Sequence, residues 1–128
     1  MTPRQPGSSS KTPYEILLVD DDQAVLAVHD RRLSRAGFTV TSCHDPRAAL
    51  ALVEAAPPRF ALVITDLHMP EMSGADLARR IKATAPTTRV ILLSGSGVEP
   101  GDGSIDALLE KPVSLEVLVA KVQSLVDT

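Results

Sequence analysis

Aromatic side chains are almost missing from this chain of 128 residues: they make up 2% of it, and tryptophan is absent. A core must therefore be assembled from Leu, Val, Ile and Ala, which the 44% hydrophobic content supplies. Cysteine is reduced to Cys43, so no internal disulfide can form, and its place in a short apolar run predicts a buried, inert thiol. Hydrophobic runs are short. None reaches the roughly 18 residues a membrane span needs, and the N-terminus carries no apolar leader. Cytoplasmic residence without membrane insertion is the expectation. A basic patch is lacking too. Net charge is −3, and Arg31, Arg32 and Arg35 stand far in sequence from Arg79 and Arg80. Both groups read as solvated helix faces, which speaks against direct nucleic-acid binding. His44 and His68 do not have metal-ligand spacing, so zinc is not expected.

What is present is alternation. Residues 1–13, rich in Pro, Ser, Gly and Thr, have little to bury and predict a disordered tail. Residues 14–128 are about the length of one domain. Within them, short apolar runs at 15–19, 38–43, 60–65, 89–93 and 107–110 read as strands. The second run alternates more than the first, as suits an edge. Helical periodicity fills the intervals. Val25, Val28, Leu33 and Ala36 mark a first helix that Gly37 stops, and Asp45-Pro46 signals the start of a second with Ala49, Leu52 and Val53 inward. Ser73-Gly74 opens a third, with Leu77, Ala78 and Ile81 inward, and Ser114 caps a last one striped by Leu115, Leu118, Val122 and Leu125. Strands alternating with helices predict an α/β domain with a parallel sheet covered on both faces.

Polar residues stand where four of these strands end: Asp20 and Asp21, Asp66, Ser94 and Lys111. In a parallel sheet those ends share one edge, where ligands bind in open α/β folds. Core packing requires none of them there. Clustered carboxylates raise one another's pKa values, and a divalent cation removes that cost. Oxygen ligands select Mg²⁺, which keeps several waters and takes few protein oxygens. A carboxylate beside such an ion can attack phosphorus and form an acyl phosphate. Ser94 and Lys111 can then neutralise the remaining phosphoryl oxygens. Asp22, by contrast, reads as a cap for the first helix.

Taken together, Val19-Asp20-Asp21, Asp66 with Met69-Pro70 and Gly74, Ser94-Gly95 and Lys111-Pro112 closely resemble the receiver domain of two-component response regulators. The resemblance spans nearly everything outside the tail. It implies a flavodoxin-like, five-stranded parallel sheet in the order 2-1-3-4-5. It implies that Asp66 takes a phosphoryl group from a phosphohistidine on a histidine kinase or phosphotransfer protein. Asp20, Asp21 and Asp66 would hold Mg²⁺ with the backbone carbonyl of His68. Ser94 and Lys111 would engage the phosphoryl oxygens, and the Lys111-Pro112 bond would be cis. Gly95 fits the small residue beside the phosphoryl group, and His68 and Ser96 match positions that tune its loss to water. The protein would not be an enzyme, assisting only its own phosphorylation and dephosphorylation. With no output domain of its own, it would signal through an unknown downstream protein.

Two features depart from that pattern. Members of the family usually carry Tyr or Phe three residues before the lysine, as a rotating switch; here the position is Leu108. The connection between the last two strands is also short, and its four glycines and one proline over 95–106 make poor helix. The fourth helix is expected to be short, mobile or absent. Both features favour an alternative, a phosphorylation-independent binding module on the same fold. A small Mg²⁺-dependent enzyme is the other: Asp20 and Asp22 have phosphatase-like spacing, but the remaining motifs point elsewhere.

Overall fold

Four of the five strands described are largely apolar runs that a polar residue brings to a stop, and the edge strand at 39–43 is mostly hydroxyl-bearing instead. The computed structural model describes residues 15–55, 59–95 and 103–126. The predicted tail, 1–13, lies outside the described residues. In chain order the elements are β1 (Glu15–Val19), α1 (Gln23–Arg35), β2 (Thr39–Cys43), α2 (Pro46–Glu54), β3 (Phe60–Asp66), α3 (Gly74–Thr84), β4 (Arg89–Ser94), β5 (Ala107–Glu110) and α4 (Leu115–Val126). The five strands form one parallel sheet in the order β2-β1-β3-β4-β5. This is the flavodoxin-like arrangement that the resemblance implies.

Side chains alternate across the sheet and build two cores. On one face Leu17, Val19, Val63 and Val90 pack with Ala49 and Val53 of α2 and with Leu77, Ala78 and Ile81 of α3. On the other, Ile16, Leu18, Leu62, Ile64, Ile91 and Leu93 pack with Leu26 and Leu33 of α1 and with Leu118 and Val122 of α4. The central strands are apolar on both faces because helices cover both.

α1 differs from its predicted stripe. Leu26 and Leu33 are buried, whereas Val28 is 37% exposed and Ala36 is exposed. Val25, Leu26 and Val28 lie within four residues, so spacing alone does not fix which face turns inward. Asp22 sets the start of the helix, its carboxylate accepting from the N–H groups of Ala24 and Val25 at 3.0 and 3.2 Å. At the other end Gly37 adopts φ 105°, Phe38 N–H donates to Leu33 O, and Gly37 N–H donates to Ser34 O. That pairing closes the helix, and glycine takes the left-handed turn without a Cβ penalty. Cys43, expected to be buried, is half-buried because edge strand β2 has a neighbour on one side only, and its thiol donates to Asp45 O.

Four helices are found among the described residues, and none lies between β4 and β5. Most of that connection, residues 96–102, lies outside the described residues, Ser96 included. Its end is pinned. Asp106 accepts from Val90 N–H and from Lys82 Nζ, each at 2.8 Å, and pairs with Arg89 at 3.3 Å. Lys82 Nζ also donates to Thr88 O at 2.7 Å. Burial pushes the Asp106 carboxyl up, but the bonds from Lys82, Val90 and Arg89 outweigh it and hold the group below the usual carboxylate range. The last turn of α3 is thereby tied to the start of β5 at the edge of the sheet opposite the strand ends where the acids sit. No helix among the described residues is long and apolar enough to cross a membrane.

Candidate functional site

Parallel pairing brings the ends of β1, β3, β4 and β5 to one edge. Asp20 follows β1 directly, Asp66 is the last residue of β3, Ser94 the last of β4, and Lys111 follows β5. Strand register does the aligning: Val19 pairs with Thr65, Asp66 with Leu93, and Ser94 with Glu110.

Three acids converge there. Asp20, Asp21 and Asp66 each offer a carboxylate oxygen, and these oxygens lie within 4.8 Å of one another. Asp20 is buried at 4% exposure and Asp66 is buried, while Asp21 is exposed. Asp20 Oδ1 accepts from Asp22 N–H at 2.9 Å. Burial pushes the Asp20 carboxyl up, with help from the neighbouring charges of Asp66 and Asp21; the Asp22 N–H and Lys111 only partly offset this.

Lys111 faces these acids, its Nζ 2.7 Å from Asp66 Oδ1. Burial pushes the ammonium down, but the bond to Asp66 and the charges of Asp66, Asp20 and Asp21 outweigh that and raise its pKa above the ordinary lysine value. The Lys111-Pro112 peptide is cis, as the resemblance implies. Lys111 N–H donates to Ser94 O at 2.9 Å, which joins two of the predicted site residues through the backbone. Ser94 is fully buried. His68 lies two residues past Asp66 with its side chain exposed, and Gly95 is exposed with open space where a Cβ would stand.

Three carboxylates facing one ammonium leave an excess of negative charge in a partly buried pocket. All the donors are hard oxygens, and one of the acids already holds its proton more tightly than in water. This donor set fits a hard divalent cation such as Mg²⁺ better than a soft or nitrogen-seeking one. A cavity of about 240 Å³ opens beside Asp21, bounded by His44, Asp45, Pro46, Pro70 and Glu71, so that acid of the cluster faces solvent. Sequence reasoning placed Asp20, Asp21, Asp66, Ser94 and Lys111 at this edge. It missed a buried hydroxyl next to the acid: Thr65 Oγ1 donates to the Asp66 carbonyl at 3.0 Å. No sequence signal marks it, because Thr is an ordinary strand residue.

Known proteins resemble this chain in sequence and fold. A family model for the response regulator receiver domain matches residues 16–123. Response regulator MprA of Mycolicibacterium vanbaalenii is 34% identical over 118 residues, which cover 88% of this chain and 50% of that protein. Two-component response regulator ARR2 of Arabidopsis thaliana is 31% identical over 125 residues, covering 88% of this chain and 18% of that protein. The chain thus spans half or less of the length of these curated relatives. A response regulator receiver domain protein from Clostridium thermocellum has the same fold, with a TM-score of 0.84 at 27% identity over 89% of this chain and 94% of that one. The strand order, the acids at the strand ends and a family match over most of the length agree: this chain belongs to the response regulator receiver domain family.

Proposed function

We propose that Asp66 is the phosphoacceptor of a two-component phosphorelay. The carboxylate attacks the phosphorus of a phosphohistidine on a histidine kinase or phosphotransfer protein; the P–N bond breaks, an acyl phosphate forms, and the imidazole leaves with a proton. Asp20, Asp21 and Asp66, with the His68 carbonyl, would hold Mg²⁺, which supplies positive charge to the acids and to the phosphoryl oxygens. Lys111 holds Asp66 in place beforehand and pairs with a phosphoryl oxygen afterwards. Ser94, at the end of the neighbouring strand, offers a hydroxyl to another. Positioning and charge neutralisation are most of what phosphoryl transfer asks of a protein. The phosphorylated state is then read by a downstream protein in the cytoplasm. The chain's chemistry in this reading is performed on itself.

One observation carries the reading: three carboxylates within 4.8 Å of one another, with Lys111 Nζ 2.7 Å from Asp66. Repulsion makes such a cluster costly, and nothing in the two cores calls for it. The test is incubation with acetyl phosphate and Mg²⁺ followed by intact mass. The expected result is a gain of one phosphoryl group, absent with EDTA and absent in Asp66→Asn. A second reading, a phosphate-independent binding module, is favoured by Leu108, a half-buried leucine on β5 where the resemblance expects a rotating aromatic. No mass gain in the wild-type protein would favour that reading instead.

A further inference from the structure

The peptide joining Asp66 to Leu67 is held at both of its polar ends. Its N–H, on Leu67, donates to Leu93 O at 2.9 Å. Its carbonyl, on Asp66, accepts from Thr65 Oγ1 at 3.0 Å. Thr65 is fully buried. It alternates with Asp66 along β3 and shares the face of Val63, which packs against α2 and α3. α3 begins on the same carbonyl. A Cβ at Gly74 would stand 2.2 Å from Asp66 O and 2.6 Å from Leu92 Cδ1, closer than real side chains approach. Gly74 N–H then donates to Leu67 O at 2.8 Å. Packing alone does not ask for the Thr65 hydroxyl, because valine has a similar shape and suits a strand as well.

We propose that Thr65 and Gly74 are positioning residues for the phosphoacceptor. The Thr65 hydroxyl and the bare Cα of Gly74 fix the backbone rotation that follows the Asp66 Cα. That rotation sets where the carboxylate meets Lys111 and the two other acids. Without the hydroxyl the peptide can rock about its remaining bond to Leu93. With a methyl at position 74 the Asp66 carbonyl must move. The inference rests on the reading of Asp66 as phosphoacceptor, and its test separates the two.

The experiment compares wild type, Thr65→Val, Thr65→Ser and Gly74→Ala in the full chain. It measures the phosphorylation rate with acetyl phosphate, the Mg²⁺ affinity by calorimetry and the thermal midpoint. Thr65→Val is expected to stay folded at 25 °C with a midpoint lowered by a few degrees at most, yet phosphorylate about fivefold more slowly, equivalent to about 1 kcal/mol, and to bind Mg²⁺ more weakly. Thr65→Ser, which keeps the hydroxyl, is expected to recover most of the rate. Gly74→Ala is expected to lose on the order of tenfold or more, in line with the sensitivity of transfer rates to sub-ångström misplacement. If Gly74→Ala fails to fold, Thr65→Val decides. A Thr65→Val protein with wild-type rate and wild-type Mg²⁺ affinity overturns the inference and leaves the phosphoacceptor reading standing. Absence of phosphorylation in the wild type overturns both.

Discussion

The Lys111 ammonium stands 2.7 Å from Asp66 Oδ1, reaching past β4 from the end of β5 to the end of β3. It is the cation held against three converging acids. In the proposed reaction it both orients the acceptor carboxylate and covers a phosphoryl oxygen. Removing a positioned charge of this kind typically costs about 10²-fold in rate. Lys111→Met is therefore expected to slow acetyl phosphate labelling of Asp66 by about that factor while leaving the fold intact by circular dichroism. A rate within threefold of wild type, as an order-of-magnitude threshold, would remove Lys111 from the chemistry.

Asp20 is expected to lower the stability of the metal-free protein. Its carboxyl is pushed up by burial and by the charges of Asp66 and Asp21. A carboxyl whose folded pKa lies above its unfolded value opposes folding once ionised. That cost is absent below the unfolded value, about 4, and grows as pH rises through the folded value. Asp20→Asn keeps an oxygen for the Asp22 N–H and removes the charge. In metal-free buffer at pH 7 its melting point is expected to rise by a few degrees, the effect of about 1 kcal/mol. Its gain in melting point on adding Mg²⁺ is expected to shrink. An Asp20→Asn protein that melts lower without metal contradicts the electrostatic reading.

The three adjacent aspartates have separable roles. Asp22 caps α1 through two N–H groups, so Asp22→Ala is expected to cost about 1 kcal/mol of stability with little change in Mg²⁺ affinity. Asp21 is exposed and joins the carboxylate cluster. Asp21→Asn is expected to leave the urea midpoint nearly unchanged and weaken Mg²⁺ binding several-fold. Paired urea melts and calorimetric titrations decide. The reverse pattern would mean the assignments of Asp21 and Asp22 are exchanged.

The strand ends were readable because each combines two simple signals, an apolar run and the polar residue that stops it. Lys111, Ser94, Asp66, Asp20 and Asp21 were all found in this way. What the pattern could not show is where partners are distant in sequence or where phase is ambiguous. Leu26, not Val28, faces the core of α1, and only the seating of the helix on β1 and β2 decides that. The Asp106 network joins Lys82 of α3 and Arg89 of β4 to the start of β5. Its members are spread along the chain, and no local pattern links them. The bond from Thr65 to its neighbour's carbonyl is invisible without coordinates, since Thr is an ordinary strand residue.

That network makes its own prediction. The Asp106 carboxyl sits below the usual range because the bonds from Lys82, Val90 N–H and Arg89 outweigh its burial. Its contribution is complete above the unfolded carboxylate value, about 4, and is lost as pH falls through the lower folded value. Asp106→Ala also leaves Val90 N–H without its acceptor and Lys82 with Thr88 O in place of two partners, and is expected to cost about 2 kcal/mol at pH 7. The gap between wild type and variant should narrow below about pH 4. Labelling of Asp66 at the opposite edge should be unchanged at 25 °C. A gap that stays constant down to pH 2, on the acidic side of ordinary carboxylates, contradicts the assignment.

The most direct test of the central claim is to locate the phosphoryl group. Protein labelled by acetyl phosphate in Mg²⁺ is reduced with borohydride, which converts an acyl phosphate on aspartate to homoserine, and is then mapped by peptide mass. Homoserine at position 66, and at no other aspartate, is the predicted result. Homoserine at Asp20 or Asp21, or labelled protein with no homoserine at all, would contradict it.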